Sequence, residues 1–296
     1  MPALGRPALI QMFDPHIALA GVVVGFMVGL TGMGGGALLT PILVLLFGID
    51  PLAAVSSDLV AAVVMKPVGG AVHMRRRTVN LRMVRWLMLG SIPSAFLSVV
   101  ILTHITGGDA VNEAVRQLVG GALLLASVGL LLKGTFSART TGIDPQSVEV
   151  RAVLTLLIGI FGGTMVGLTS VGSGSLMMVL MLLVYPQLTA AQLVGTDLVQ
   201  AVALVASAAI AHLIFGDVRF GITGSLLVGA VPAVWLGAHV SSRAPDRLLR
   251  PILPVILVAS GLKMLGVPTT ATAAVSIGLL LLTVLIALRG DTTRPA

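Results

Sequence analysis

Nine apolar runs, at roughly 17–47, 53–74, 81–103, 114–132, 152–185, 190–215, 219–241, 248–265 and 271–288, follow one another with most of the charge gathered at or near their ends. Most have the roughly 18–25 residues that a helix needs to cross about 30 Å of hydrocarbon. A water-soluble fold would have to hide nearly all of this surface. The chain is 56% hydrophobic and 10% charged, with a mean hydropathy of +1.07, whereas soluble domains carry about 25% charged residues. The bilayer must therefore be the solvent for most of the exterior, and the sequence predicts an all-α, polytopic protein forming one membrane domain over 1–296. A soluble enzyme and a nucleic-acid-binding domain are excluded. The net charge of +7 reads as a topology signal rather than a nucleic-acid footprint. With no cysteine there is no disulfide framework and no thiolate metal site. No charged region precedes an apolar stretch and a small-residue cleavage site at the N-terminus, so the first apolar segment, which follows Asp14 and His16, is expected to be retained.

Two runs are too long for one ordinary span. Segments 17–47 and 152–185 are each interrupted near the middle by Gly and Ser, which are poor helix formers, and each reads as two half-helices joined at membrane depth. The interruptions match one another. Val28–Leu38, VGLTGMGGGAL, aligns with Val166–Leu176, VGLTSVGSGSL, at seven of eleven positions. At an offset of 139, Asp58 then falls on Asp197, His73 on His212, Val79 on Val218, Gly90 on Gly229 and Pro93 on Pro232. The chain thus reads as two homologous halves, repeat 1 over 17–132 and repeat 2 over 152–265. A cytoplasmic linker at 133–151 joins them, and an extra C-terminal transmembrane helix at 271–288 lies outside the repeat.

Charge predicts how the halves are oriented. If both broken segments are re-entrant hairpins, thirteen of the Lys and Arg outside the spans lie on the side of Arg75, Arg76 and Arg77 and four lie opposite; if both cross fully, the division is eleven to six. The positive-inside rule favours the hairpins. Each half then has one hairpin and three true spans, an odd number, so the halves are inverted relative to one another. Inverted repeats with interrupted helices near the midplane characterise many secondary transporters.

Irregular backbone at membrane depth must face protein or a water-filled cavity, since lipid cannot satisfy its N–H and C=O groups. The second arm of each hairpin directs its unpaired N–H groups and positive dipole end toward the midplane, an arrangement that suits an anion. The expected substrate-binding residues are Thr31, Gly32, Gly34, Gly35 and Gly36 in the first turn, and Thr169, Ser170, Gly172, Ser173, Gly174 and Ser175 in the second. The competing reading is that these small residues permit close helix packing.

The chain resembles the sulfite exporter TauE/SafE family of membrane permeases. The resemblance rests on the duplicated GLTGMGGG and GLTSVGSGS stretches, the SSDL and GTDL helix starts that follow them, the His-containing helix ends and the G-x-x-P patterns at Pro93 and Pro232, and it covers about 17–265. It implies a carrier of small anions in a bacterial cytoplasmic membrane, often of sulfur-containing ones such as sulfite or organosulfonates. One departure stands out: Asp58 and Asp197 occupy positions where the family pattern has Ser. Two carboxylates beside an anion site repel the substrate unless they are protonated or paired.

Asp58, Lys66 and Asp197 lie inside or near the ends of spans, where a central charge costs about 2.5–3.5 kcal/mol on insertion scales. Their expected role is coupling to H⁺ or Na⁺, or charge pairing; the alternative for both Asp is capping of a helix start. His73 and His212 are candidates for a proton relay, with interfacial placement as the alternative. Pro67, Pro93 and Pro232 predict kinks. The sequence has no G-x-S protease pattern, no H-E-x-x-H and no G-K-[ST], so neither an enzyme nor a cofactor is expected. The function predicted is a secondary carrier for a small anion, whose partners are the substrate, the bilayer and H⁺ or Na⁺. The rival readings are a passive anion channel and a structural membrane subunit.

Overall fold

The computed structural model describes residues 13–31, 35–75, 78–106, 109–135, 144–240 and 246–291. They form eleven α-helices: α1 (Pro15–Thr31), α2 (Gly36–Leu45), α3 (Pro51–Arg75), α4 (Leu81–Ile105), α5 (Asp109–Thr135), α6 (Ala152–Thr169), α7 (Leu176–Val184), α8 (Ala190–Phe215), α9 (Phe220–Val240), α10 (Asp246–Met264) and α11 (Thr269–Asp291). A short 3-10 turn, Pro145–Ser147, precedes α6. Helices α4, α5, α6, α8 and α9 contain stretches long and apolar enough to cross a membrane. The distribution of side chains is inverted relative to a soluble protein. Leu97, Ile101, Leu157, Val228 and Leu281 are exposed, while Thr40, Ser57, Asp58, Ser91, Thr196, Asp197 and Gln200 are buried. Apolar groups outside and hydrogen-bonded polar groups inside is the arrangement that hydrocarbon solvent demands.

Both long segments are broken at the expected places, between α1 and α2 and between α6 and α7. The chain returns to the end from which it came. Tyr185, just past α7, receives the Arg151 N–H on its hydroxyl at 2.9 Å and lies 2.5 Å from Thr155 Oγ1, both at the start of α6. In the first segment, Asp14 and Ile17 at the start of α1 share a recess of about 250 Å³ with Phe47 and Ile49 just past α2. The arms are less even than half-helices would be: α6 has 18 residues and α7 has 9, so α6 is about 27 Å long at 1.5 Å per residue. Tyr185→Phe leaves an apolar ring in place and removes the clasp. It should cost about 1–3 kcal/mol for two lost hydrogen bonds, read as a lower apparent Tm in detergent; an unchanged Tm would mean that the hairpin closes without it.

Helix α1 packs along α9 and α6 along α4. Small residues make this approach close. A Cβ at Gly21 or Gly25 would meet the backbone of Leu226 or Ala230, and one at Gly159, Gly163 or Gly167 would meet the backbone of Leu87, Ser91 or Ala95. Gly21-x3-Gly25-x3-Gly29 and Gly159-x3-Gly163-x3-Gly167 are small-residue stripes, which let helix backbones approach closely in membranes. The long helices α3 and α8 pack on each other and on the cross-paired elements. Two contacts recur at the 139-residue offset: the Asn80 N–H donates to Thr196 Oγ1 at 3.0 Å, and the Arg219 N–H donates to Ser57 Oγ at 3.2 Å. Helices α3, α4 and α9 continue through Pro67, Pro93 and Pro232. Helix α11 lies principally on α10.

Candidate functional site

The second turn is built from conformations that few residues tolerate. Ser170 ends α6 in the left-handed region, φ 59°, and Gly172 and Gly174 follow at φ 138° and 84°. Glycine adopts such angles without a steric penalty. The Val171 N–H donates to Thr169 Oγ1 at 3.1 Å, and the Met177 N–H reaches back to the Gly172 carbonyl at 3.1 Å, so the start of α7 is tied to the turn. In the first turn, Gly32, Gly34 and the Thr31 side chain lie outside the described residues. Gly35 accepts from the Leu38 and Leu39 N–H groups at 2.9 and 2.8 Å, and Gly36 opens α2.

The two turns touch. A Cβ on Gly36 would overlap the backbone carbonyl and hydroxyl of Ser170, so the first residue of α2 rests directly on the first residue of the break between α6 and α7. Around this contact stand the three ionisable residues singled out in the sequence. Asp58 Oδ2 accepts from Thr40 Oγ1 on α2 at 3.1 Å and from Ser170 Oγ at 2.8 Å. Asp197 Oδ2 accepts from the Gly174 N–H, and its Oδ1 accepts from Gln200 Nε2 at 2.9 Å. Lys66 Nζ donates to Ser173 Oγ. No carboxylate stands within 4.0 Å of Lys66 among the described ion pairs, although its charge acts on both Asp58 and Asp197.

Asp58 and Asp197 are each the eighth residue of their helices, which corrects the capping alternative: neither lies at its own helix start. Thr189 caps α8, in a capping box with Gln192. Both Asp side chains are fully buried, Lys66 is 8% exposed, and Thr169, Ser173 and Ser175 are likewise buried. The group is therefore closed to solvent. Two of the donors that the turn offers, the Ser170 hydroxyl and the Gly174 amide, are taken by the protein's own carboxylates. Among the described residues, Ser175 Oγ and Asp58 Oδ1 are buried without a hydrogen-bond partner.

The histidines stand elsewhere. His212 is buried, with Nε2 donating to the Gly167 carbonyl at 2.8 Å and Nδ1 lying 2.7 Å from Ser56 Oγ, so it ties α8 to α6 and α3. His73 Nδ1 lies 3.0 Å from Thr78 Oγ1 at the far end of α3. Two members of the central group were not anticipated from the sequence. Gln200 bonds Asp197 and accepts from Ser91 Oγ at 3.1 Å, and Thr40 bonds Asp58. Gln200 is three residues beyond Asp197 on the same helical face, a spacing at which side chains meet, and that was the available signal.

The model of the family described as sulfite exporter TauE/SafE matches residues 17–264. A Bacillus subtilis (strain 168) protein described as "Probable membrane transporter protein YjnA" is 40% identical over 253 residues, covering 84% of this chain and 98% of the relative. No solved structure matches. The matched region takes in both hairpins, the long helices between them and the buried polar group where the turns meet, and the chain belongs to the sulfite exporter TauE/SafE family of multi-pass membrane transporters.

Proposed function

We propose that this transporter is an alternating-access carrier for a small anion, a sulfur-containing oxyanion or organosulfonate, in a bacterial cytoplasmic membrane. An H⁺ or Na⁺ gradient supplies the energy. The two hairpin turns, from Thr31 to Gly36 and from Thr169 to Ser175, form one central site, with Asp58, Lys66 and Asp197 beside it, between halves of opposite orientation. The observation that carries the reading is the contact of Gly36 with Ser170 inside a solvent-free cluster that holds a lysine and two carboxylates.

A buried amine needs a counter-charge, and among the described residues the hydrogen-bond partner of Lys66 is a serine hydroxyl. An anion held between Lys66 and the second turn supplies that counter-charge. The Gly174 amide and the hydroxyls of Ser173 and Ser175 would complete its coordination. The resident carboxylates then have to yield or be neutralised as the substrate enters, which ties anion binding to a cation. The test is flux in proteoliposomes across a panel of sulfite, taurine, sulfoacetate and chloride, with and without pH or Na⁺ gradients. Saturable uptake of a sulfur-containing anion that accelerates with one gradient is expected. Large unitary currents, or indifference to every anion, would reject the reading.

A further inference from the structure

The two repeat-related carboxylates are not in equivalent surroundings. Asp197 has both oxygens occupied, Oδ2 by the Gly174 amide and Oδ1 by Gln200. Asp58 has two hydroxyl donors on Oδ2, while Oδ1 is buried with no partner. The position that a Cβ would take on Gly35 lies 3.8 Å from that oxygen, so Oδ1 is turned toward the first hairpin turn. The sequence records the same divergence: the counterpart of Gln200 at the repeat offset is Ala61, and the counterpart of Lys66 is Val205.

From this asymmetry, and resting on the carrier reading above, we infer that Asp58 is the site at which the coupling proton is carried, with Oδ1 as the protonated atom, and that Asp197 anchors the second turn. A lone ionised oxygen sealed from water, with no cation within ion-pair distance among the described residues, is costly. A proton on Oδ1 removes the charge at its source. A metal cation fits less well. Hard cations such as Ca²⁺ and Mg²⁺ take about six or more oxygen ligands, and the hydroxyls of Thr40 and Ser170, both on Oδ2, are the hydrogen-bonded oxygens around Asp58 among the described residues.

The ionisable groups on the elements around Asp58 are few. Its own helix carries Lys66, with His73 and Arg75 at the far end, and α8 carries Asp197 and His212. Helix α2 has none. The described ionisable side chains of α5 include the exposed Glu113–Arg116 pair, and α9 has the exposed His239, preceded by Arg219, which pairs with Asp50 and Asp217. Because Ser170 belongs to the second hairpin and Asp58 to α3, a movement that parts the turns withdraws a donor from the carboxylate. Proton occupancy and conformation are thereby linked.

Infrared difference spectra between about pH 6, where ordinary exposed carboxyls are already ionised, and alkaline pH, taken on the full-length protein in proteoliposomes, test this without a known substrate. The wild type should give the C=O band of a neutral carboxylic acid, which Asp58→Asn removes and Asp197→Asn keeps; exchanging K⁺ for Na⁺ at fixed pH should leave the band in place. A band that persists in Asp58→Asn, or that Na⁺ abolishes, overturns the assignment. Since either Asn variant can misfold, wild-type protein treated with dicyclohexylcarbodiimide, an apolar reagent that adds to protonated carboxyls, gives a second reading by peptide mass mapping. Label on Asp58 supports the proposal, and label on Asp197 alone overturns it. In flux assays, the ratio of sulfite uptake with and without a pH gradient should fall to unity in Asp58→Asn. If the wild type moves no anion at all, the carrier reading fails while the infrared and labelling results still decide where the proton resides.

Discussion

Gly36→Ala is expected to reduce transport by about tenfold or more, equivalent to at least about 1.4 kcal/mol, in protein that still inserts and purifies. The added methyl would occupy the space of the Ser170 carbonyl, and this is backbone meeting backbone, so no side-chain rotation relieves it. Overpacking a tight site costs about 1–3 kcal/mol, and here the cost falls on the one arrangement in which the two turns meet. Helices α1 and α2 can each form without that contact, which is why insertion should survive. The matching control is Gly121→Ala, where a Cβ meets nothing within 4 Å and the change should stay within about 0.5 kcal/mol. Initial rates of anion exchange, measured beside thermal unfolding in detergent, separate the two outcomes. Wild-type flux in Gly36→Ala would mean that the contact between the turns is no part of the transport cycle.

The features legible in the sequence are those that follow from local chemistry. A Gly- and Ser-rich run cannot sustain a helix, so the breaks between α1 and α2 and between α6 and α7 were readable, and their duplication pointed to both at once. Asp58, Lys66 and Asp197 stood out because charge is expensive in hydrocarbon. Two things were not readable. The first is that α1 lies along α9 and α6 along α4: which surfaces meet depends on the fit of Gly21 and Gly25 to α9 and of Gly159 and Gly163 to α4. Those stripes are visible in the sequence, but the partner they select is not. The second is the difference between Asp58 and Asp197. Identical residues at matched positions read as equivalent, and only the placement of Gln200, Thr40 and the Ser170 hydroxyl around them makes one carboxylate fully satisfied and leaves the other with a bare oxygen.

Lys66→Met is expected to raise the substrate KM about 10- to 100-fold, since a hydrogen bond to a charged group contributes about 1.5–3 kcal/mol and 1.4 kcal/mol is a factor of ten. Methionine keeps the unbranched apolar stem and gives up the ammonium group that now donates to Ser173. Insertion should not suffer, because a charge at the centre of a span costs about 2.5–3.5 kcal/mol to place there. The effect on the protein alone and the effect on the anion therefore have opposite signs: thermal stability without substrate should hold or rise while affinity falls. A merely structural lysine would move both downward together. Lys66→Arg retains the charge but replaces a compact ammonium by a planar fork, and should recover part of the affinity. Should Lys66→Met transport with unaltered KM and lose only its response to a pH gradient, the lysine would belong to the coupling machinery with Asp58, and the anion would have to be held by the amides and hydroxyls of the second turn alone.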